Sequence, residues 1–391
     1  MVMGLRTALA RERERTPLAW RNLTHRKPAL VVSAAAVGFA VLIMFTQIGF
    51  LNGLYDSQTN LLRRLRADLV IASAAQHMLV IREELPRERL AQARGVPGVA
   101  GVAALQVEEA RSFLRLPGSG VERAIRVIAC DPREPVFEHA GLEAALARLR
   151  LTGDVAFDRR SRGYFGSLRE GVATELGGRQ VRVAATFGLG ADYYYDGNLL
   201  ASEETFFSLF PHKRRERARL GLVRLDPGAD ALTVRDALRA RLGPGVSVDT
   251  KRDVIAREEA AWRRSTPAGY MFGLGVVIGY VIGVVFCYQI LYTDIADKLP
   301  QLATLRALGY EDRALAGLVI RQALLLGLLG FAPALLASVA VYQTLSGITG
   351  IVMELTAARA LLVLALTIAM CALSGLLAAR KALLADPAEL F

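Results

Sequence analysis

The side chains best suited to metal binding or proton transfer are four histidines, His25, His77, His139 and His212. They stand far apart, with no H-E-x-x-H or H-x-H spacing. Cys287 and Cys371 lie inside apolar runs and leave Cys130 alone outside them, so neither a disulfide framework nor a zinc site can be assembled. The chain has no G-x-x-x-x-G-K-[ST] loop to cradle phosphates and no G-x-S-x-G nucleophile elbow. The run Asp192-Tyr-Tyr-Tyr-Asp196-Gly197-Asn198 clusters carboxylates, but a calcium loop needs more oxygen ligands at alternate positions and a closing glutamate. The expectation there is a turn in which Gly197 takes a positive φ. With no catalytic residues, no metal ligands and no nucleotide loop, the chain reads as neither an enzyme nor a cofactor binder.

Two spacings carry more information. Gly275, Gly279 and Gly283 repeat every four residues within an apolar run and share one helix face. In lipid, small residues at that interval let two helix backbones approach closely. The partner is either the first apolar helix of the same chain or the same helix of a second copy. Further on, Pro300 suits a first helical position and Gly309 a helix stop, which brackets a helix of about two turns. Leu302, Leu305 and Leu308 line one side of it. Such a stripe either lies on a membrane or docks into another protein's groove.

These motifs need elements to position them, and hydropathy supplies those. The chain has 391 residues, 53% of them hydrophobic, and a formal net charge of +11. Four uncharged stretches, 29–51, 268–293, 322–353 and 360–379, each reach the ~18–20 residues that cross a bilayer's hydrocarbon core. A purely soluble protein is excluded. The excess base is nearly all arginine, scattered among Asp and Glu without an aromatic stripe, and implies no nucleic-acid partner. Lys and Arg flank the spans at the N-terminal segment, in 294–314 and at Arg380-Lys381, whereas 343–358 carries none. The positive-inside rule therefore places both termini in the cytoplasm. The expected plan is a cytoplasmic amphipathic segment 1–27 bearing Leu18, Trp20 and Leu23, then a span at 28–51. Residues 52–267 lie outside, followed by a span at 268–293 and a cytoplasmic loop at 294–314. A third span at 315–342, a short outer connection at 343–358, a fourth span at 359–379 and a tail at 380–391 complete the chain.

The outside region reads as mixed α/β. Runs at 68–72, 124–129, 180–185 and 220–225 read as strands, while 87–94, 138–151 and 232–242 read as helices ending at Gly95, Gly153 and Gly243. Strand–helix groups near 60–130 and 215–260 flank a strand-rich middle, which predicts two subdomains with the second interrupting the first. Stretches 54–66 and 249–264 are expected to carry the first two spans outward as helical stalks. The fold class is an α-helical membrane protein with four transmembrane helices, one plus three, and a large mixed α/β extracytoplasmic domain.

The stretch Lys298-Leu-Pro-Gln-Leu-Ala-Thr-Leu-Arg-Ala-Leu-Gly-Tyr310 resembles the coupling segment of FtsX/MacB-like ABC permeases, most like the DevC type. Pro17-Leu-Ala-Trp-Arg-Asn-Leu23, Arg66-Ala-Asp-Leu-Val70, Phe187-Gly-Leu-Gly-Ala-Asp192 with Asp196-Gly197, and Arg380-Lys381 with Asp386-Pro-Ala-Glu-Leu-Phe391 fit too. The resemblance implies a homodimeric permease of the bacterial inner membrane, with residues 52–267 in the periplasm. A separate ABC ATPase would bind ATP and Mg, and its closure would push the coupling helix and move the outside domain. Pro300, Thr304, Leu305, Arg306, Leu308 and Gly309 would contact that ATPase. Export would run through a periplasmic membrane-fusion adaptor and an outer-membrane channel, with glycolipid, drug, toxin or lipoprotein as cargo. The alternative is an FtsX-like signalling subunit that regulates a periplasmic cell-wall hydrolase and exports nothing. A membrane-anchored enzyme is the third reading, and it lacks a catalytic constellation.

Overall fold

The computed structural model describes residues 27–166, 168–265, 267–297 and 312–384. The amphipathic segment, the coupling helix around Leu305 and the end of the tail lie outside the described residues. In chain order the elements begin with α1 (Lys27–Arg64), β1 (Leu69–Ser73), β2 (Leu85–Pro86), α2 (Arg87–Arg94), β3 (Val99–Glu108), β4 (Phe113–Arg115), β5 (Glu122–Ala124) and β6 (Arg126–Cys130). Next come α3 (Ala140–Ala147), β7 (Asp154–Asp158), β8 (Ala173–Leu176), β9 (Arg179–Phe187), β10 (Asn198–Ser202), α4 (Glu203–Leu209), β11 (Arg217–Ala218) and β12 (Leu220–Leu225). The chain continues with α5 (Ala231–Leu242), β13 (Val246–Thr250), α6 (Lys251–Ser265), α7 (Ala268–Asp297), α8 (Asp312–Thr349) and α9 (Ala357–Leu384). It divides into two compact units. One holds Asn52–Thr266 with Thr344–Met353, and the other holds Met1–Leu51, Pro267–Gln343 and Glu354–Phe391.

The first unit is built on an eleven-stranded sheet of order β13-β1-β12-β3-β6-β10-β7-β9-β8-β4-β5. The strands nearest the two ends of the region, β1, β3, β12 and β13, pair antiparallel in one half. The middle of the region supplies the other half, in which β10 pairs β6, and β7 pairs β9, in parallel. The second subdomain therefore interrupts the first, yet the β3–β6 pairing makes the sheet continuous. Alternation along the strands assigns the faces. Leu69 and Ile71 pack with Leu90 of α2 and Leu238 of α5, while Val70 between them turns to the opposite face. That opposite layer runs beneath both halves and takes in Leu61 and Leu62 of α1 with Phe137 and Leu142. A third cluster packs Phe206 and Phe210 against Val127, Val155 and Leu199.

Local chemistry sets several boundaries. Asp230 caps α5 by accepting from the Thr233 amide at 2.8 Å, and Ser202 caps α4 from Thr205 at 3.2 Å. The helix expected over 138–151 is shorter, because the chain turns after Ala147 to bring Asp154 into β7. The second stalk also differs from expectation. Asp249 and Thr250 belong to β13, and α6 begins at Lys251. Nor is α6 described as running unbroken into α7: α6 spans Lys251–Ser265, Pro267 lies in a turn, and α7 opens at Ala268. The Pro267 carbonyl instead accepts from the Met271 amide at 3.0 Å and opens α7. The first stalk is continuous with its span as the single helix α1.

Among the described residues of the second unit, four helices are long and apolar enough to cross a membrane, with α1 contributing its apolar part. Their shared core centres on Val37, Val41, Phe45, Cys287, Leu326, Val363 and Met370. Exposed Tyr270, Met271, Leu274, Val277, Ile278 and Val281 follow the spacing of one outer face of α7. Apolar side chains in that position suit lipid, not water.

Candidate functional site

Of the residues singled out in the sequence, Pro300, Thr304, Leu305, Arg306, Leu308 and Gly309 lie outside the described residues. The glycine face is described. A β-carbon at Gly279 would fall 3.0 Å from Ile43 Cγ2 and 3.3 Å from Met44 Cγ. One at Gly275 would enter the Gln47 carboxamide, and one at Gly283 would strike Met370 Sδ and come within 3.0 Å of Ala40 Cβ. The face thus packs against α1 and α9 of the same chain. Two further glycines bring α1 and α8 together, since a β-carbon at Gly38 would sit 3.0 Å from the Gly330 carbonyl oxygen. Hydrogen bonds add direction. The Tyr342 hydroxyl donates to the Phe45 carbonyl, and the Ser374 hydroxyl donates to that of Val284.

In the other unit the sequence-marked run 188–198 forms a buried polar junction. Asp192 is 1% exposed, while Asp158 and Asn198 have no exposure. Arg126 reaches Asp192 Oδ2 at 2.7 Å and Asn198 Oδ1 at 2.8 Å. Asn198 in turn donates to Asp158 Oδ2 and to the Gly190 carbonyl, each at 2.8 Å. Asp158 also accepts from the amides of Leu189 at 3.0 Å and Gly190 at 2.8 Å. Asp192 Oδ1 takes the amides of Tyr194 and Tyr195. Arg126 and Asp192 thereby form a buried ion pair, while the Asp158 carboxylate is satisfied by amide donors, as a low-dielectric interior demands. The two aspartates expected to share a turn face different partners, for Asp196 pairs with Arg162 and Tyr164. Burial first, and then the Asp196 carboxylate, push the Tyr164 phenol up to about 12.

Gly197 is a correction. It is absent from the positive-φ glycines. Its requirement is space, because a β-carbon would lie 2.6 Å from Ser161 Oγ, 2.9 Å from Ser161 Cβ and 3.0 Å from Phe165 Cε2.

Beside this junction, residues 74–84 cross without regular structure and are fixed by charges. The Leu79 amide donates to Glu258 Oε2 at 2.9 Å, and the Trp262 indole donates to Glu258 Oε1 at 2.8 Å. Lys213 pairs with Glu84 at 2.7 Å and with Glu108 at 3.3 Å. Burial works to raise the Glu108 carboxyl, but the Arg111 amide, the Lys213 ammonium and the Ala110 amide outweigh it and hold it at about 2. Burial dominates at Glu109 and Glu258 and raises both, even though Arg219 lies near Glu109. Cys130 is fully buried, and burial pushes its thiol up, which suits a packing residue and not a nucleophile. Among the described residues, no three His, Cys, Asp or Glu side chains are grouped to hold a metal.

Residues 273–387 match the FtsX-like permease C-terminal family. The matched stretch takes in Gly275, Gly279 and Gly283, the helices α8 and α9, and the segment holding Leu305. Among solved structures, the chain is similar to the periplasmic region of MacB from Actinobacillus actinomycetemcomitans. The identity is 9% and the TM-score 0.33, over 51% of this chain and 93% of that one. It is also similar to the extracellular domain of the noncanonic ABC-type transporter YknZ from Gram-positive bacteria. There the identity is 11% and the TM-score 0.31, over 47% of this chain and all of that one. No curated protein matches the chain.

The sequence marks 343–358 as a short connection, without disclosing how its stretch 344–353 packs. That stretch belongs to the same compact unit as the α/β domain. Its visible signals were Gly350 and Gly190, two glycines far apart in the chain that meet in space.

Proposed function

We propose that the chain is the membrane subunit of an ABC exporter that works by mechanotransmission. The observation that carries this is the match of 273–387 to the FtsX-like permease C-terminal family, in a chain whose α1 continues from an apolar span into the α/β domain. Helices transmit displacement because their backbone hydrogen bonds resist bending. In this reading two copies pair, each with a separate ABC ATPase that binds ATP and Mg. Pro300, Thr304, Leu305, Arg306, Leu308 and Gly309 form the docking helix on the cytoplasmic side. Both termini are cytoplasmic, residues 52–267 are periplasmic, and their motion drives cargo through an adaptor and an outer-membrane channel. The membrane helices then need no polar lining, since the cargo does not pass between them.

The docking role is tested by Leu305→Asp, which places a charge in the leucine stripe. The ATPase should be lost from the purified complex while the α/β domain keeps its melting temperature. Recovery of the ATPase at the wild-type yield would remove the docking helix from the account.

A further inference from the structure

The connection between α8 and α9 is a built structure. The Gly350 amide donates to the Ser346 carbonyl at 2.9 Å, and Gly350 takes φ +71°, the left-handed geometry that ends a helix. The chain then folds back, so that the Met353 amide donates to Ser346 Oγ at 3.1 Å. Met353 is 8% exposed.

This turn is seated on the α/β domain through backbone-level contacts. The Ala191 amide donates to the Gly350 carbonyl at 3.1 Å. A β-carbon at Gly350 would lie 3.0 Å from Ala191 Cβ and 3.1 Å from the Arg160 carbonyl oxygen, and one at Gly190 would lie 3.0 Å from Val352 Cγ2. On the other side, a β-carbon at Gly53 of α1 would lie 3.1 Å from Met353 Cγ and 3.4 Å from Ile351 Cγ2. Three glycines from three separate stretches thus remove the side chains that would hold the connection away. The seat itself is rigid. Asp158 holds the Leu189 and Gly190 amides, and the Asn60 side chain of α1 donates to the Leu189 carbonyl at 2.5 Å.

We infer that residues 344–353 are a permanent anchor, seated on the α/β domain beside the α1 stalk. The contacts are an amide hydrogen bond and close packing; the charged side chain among them, Arg162, meets Gly350 with its Cγ, 3.4 Å from a β-carbon there, and directs its guanidinium to Asp196 at 2.9 Å. An anchor of this kind makes the stalk and the α8–α9 turn one body, so movement imposed on either is delivered to the domain by both. The inference concerns this chain alone and stands whether its motion serves export or signalling.

The experiment uses the full chain in lipid nanodiscs. Amide hydrogen exchange over 188–192 should be slow in the wild type. Gly350→Val should speed it at least tenfold, because a branched side chain is both strained at that φ and too large for the seat. Exchange in β3 and β12 should stay unchanged, which separates release of the anchor from unfolding. Fast wild-type exchange at Ala191, or no response to Gly350→Val, overturns the anchor. Permanence is tested with the cysteine pair Gly53→Cys and Met353→Cys. In a disulfide a β-carbon lies about 3 Å from the far sulfur, close to the Gly53-to-Met353 Cγ spacing. With the partner ATPase present, ATP hydrolysis should agree within about twofold between the crosslinked and reduced forms. A tenfold loss on crosslinking would show that the connection must leave its seat. If no ATPase associates at all, the exporter reading fails while the exchange result still decides the anchor.

Discussion

The guanidinium of Arg126 lies 2.7 Å from the carboxylate of Asp192, with the two side chains 9% and 1% exposed. Removing one member of a buried pair strands the other charge away from water, at a cost of about 3–5 kcal/mol. Arg126→Met should therefore lower the stability of the α/β domain by that order, and Asn198 and Asp158 should lose order with it. Thermal melting of the full chain in detergent measures this. A loss below about 1 kcal/mol would mean that the pair is not the organising contact of the junction.

Gly197→Ala tests whether space or backbone geometry demands the glycine. The added methyl group meets Ser161 and Phe165, and overpacking of this kind costs about 1–3 kcal/mol. Adding Ser161→Gly should recover most of the loss. If the double variant is no more stable than Gly197→Ala, the close approach is not the reason for the glycine.

Gly279→Leu should separate α7 from α1, because Ile43 and Met44 occupy the space the new side chain needs. Cysteine crosslinking between the two helices in membranes reads the separation. A fall in yield of several-fold is expected, and an unchanged yield would contradict the packing. A change confined to crosslinks between two copies would instead assign the face to a dimer.

The α/β domain should also respond to pH in two directions. Burial raises Glu109 and Glu258 above the ordinary glutamate value of 4.5, so the folded domain holds protons that the unfolded chain releases. Acidification from neutrality toward 4.5 therefore stabilises it. Glu108 acts oppositely. It is held at about 2, so its contribution is present above 4.5 and is lost as the pH falls from there toward about 2. The melting temperature should rise on acidification from neutral pH, peak near 4.5 and fall below it. Glu258→Gln should flatten the rise and leave the fall. A wild-type profile without a rise would contradict the raised carboxyls.

What the sequence disclosed and what it hid have a common physical cause. The four spans were legible because each is a long uncharged run, and α2 ends at its Gly95 stop because helix signals are local. Strand β12 occupies 220–225 as its apolar pattern indicates. Gly197 was legible as necessary but not for the right reason, because its constraint is Ser161, which is distant in the chain. The β3–β6 pairing that joins the two halves of the sheet, and the seating of Gly350 against Ala191, are likewise long-range relations. Periodicity reports which face of an element is apolar, and it carries no record of the partner that covers it.

The most direct measurement is mass spectrometry of the intact complex, gently extracted from native membranes through a tag on this chain. The account predicts two copies of the chain with two of a P-loop ATPase, together with a periplasmic adaptor. Recovery with the ATPase and a cell-wall hydrolase but no adaptor would contradict export in favour of signalling. Recovery of the chain alone, after controls for detergent loss, would contradict an ATP-driven function altogether.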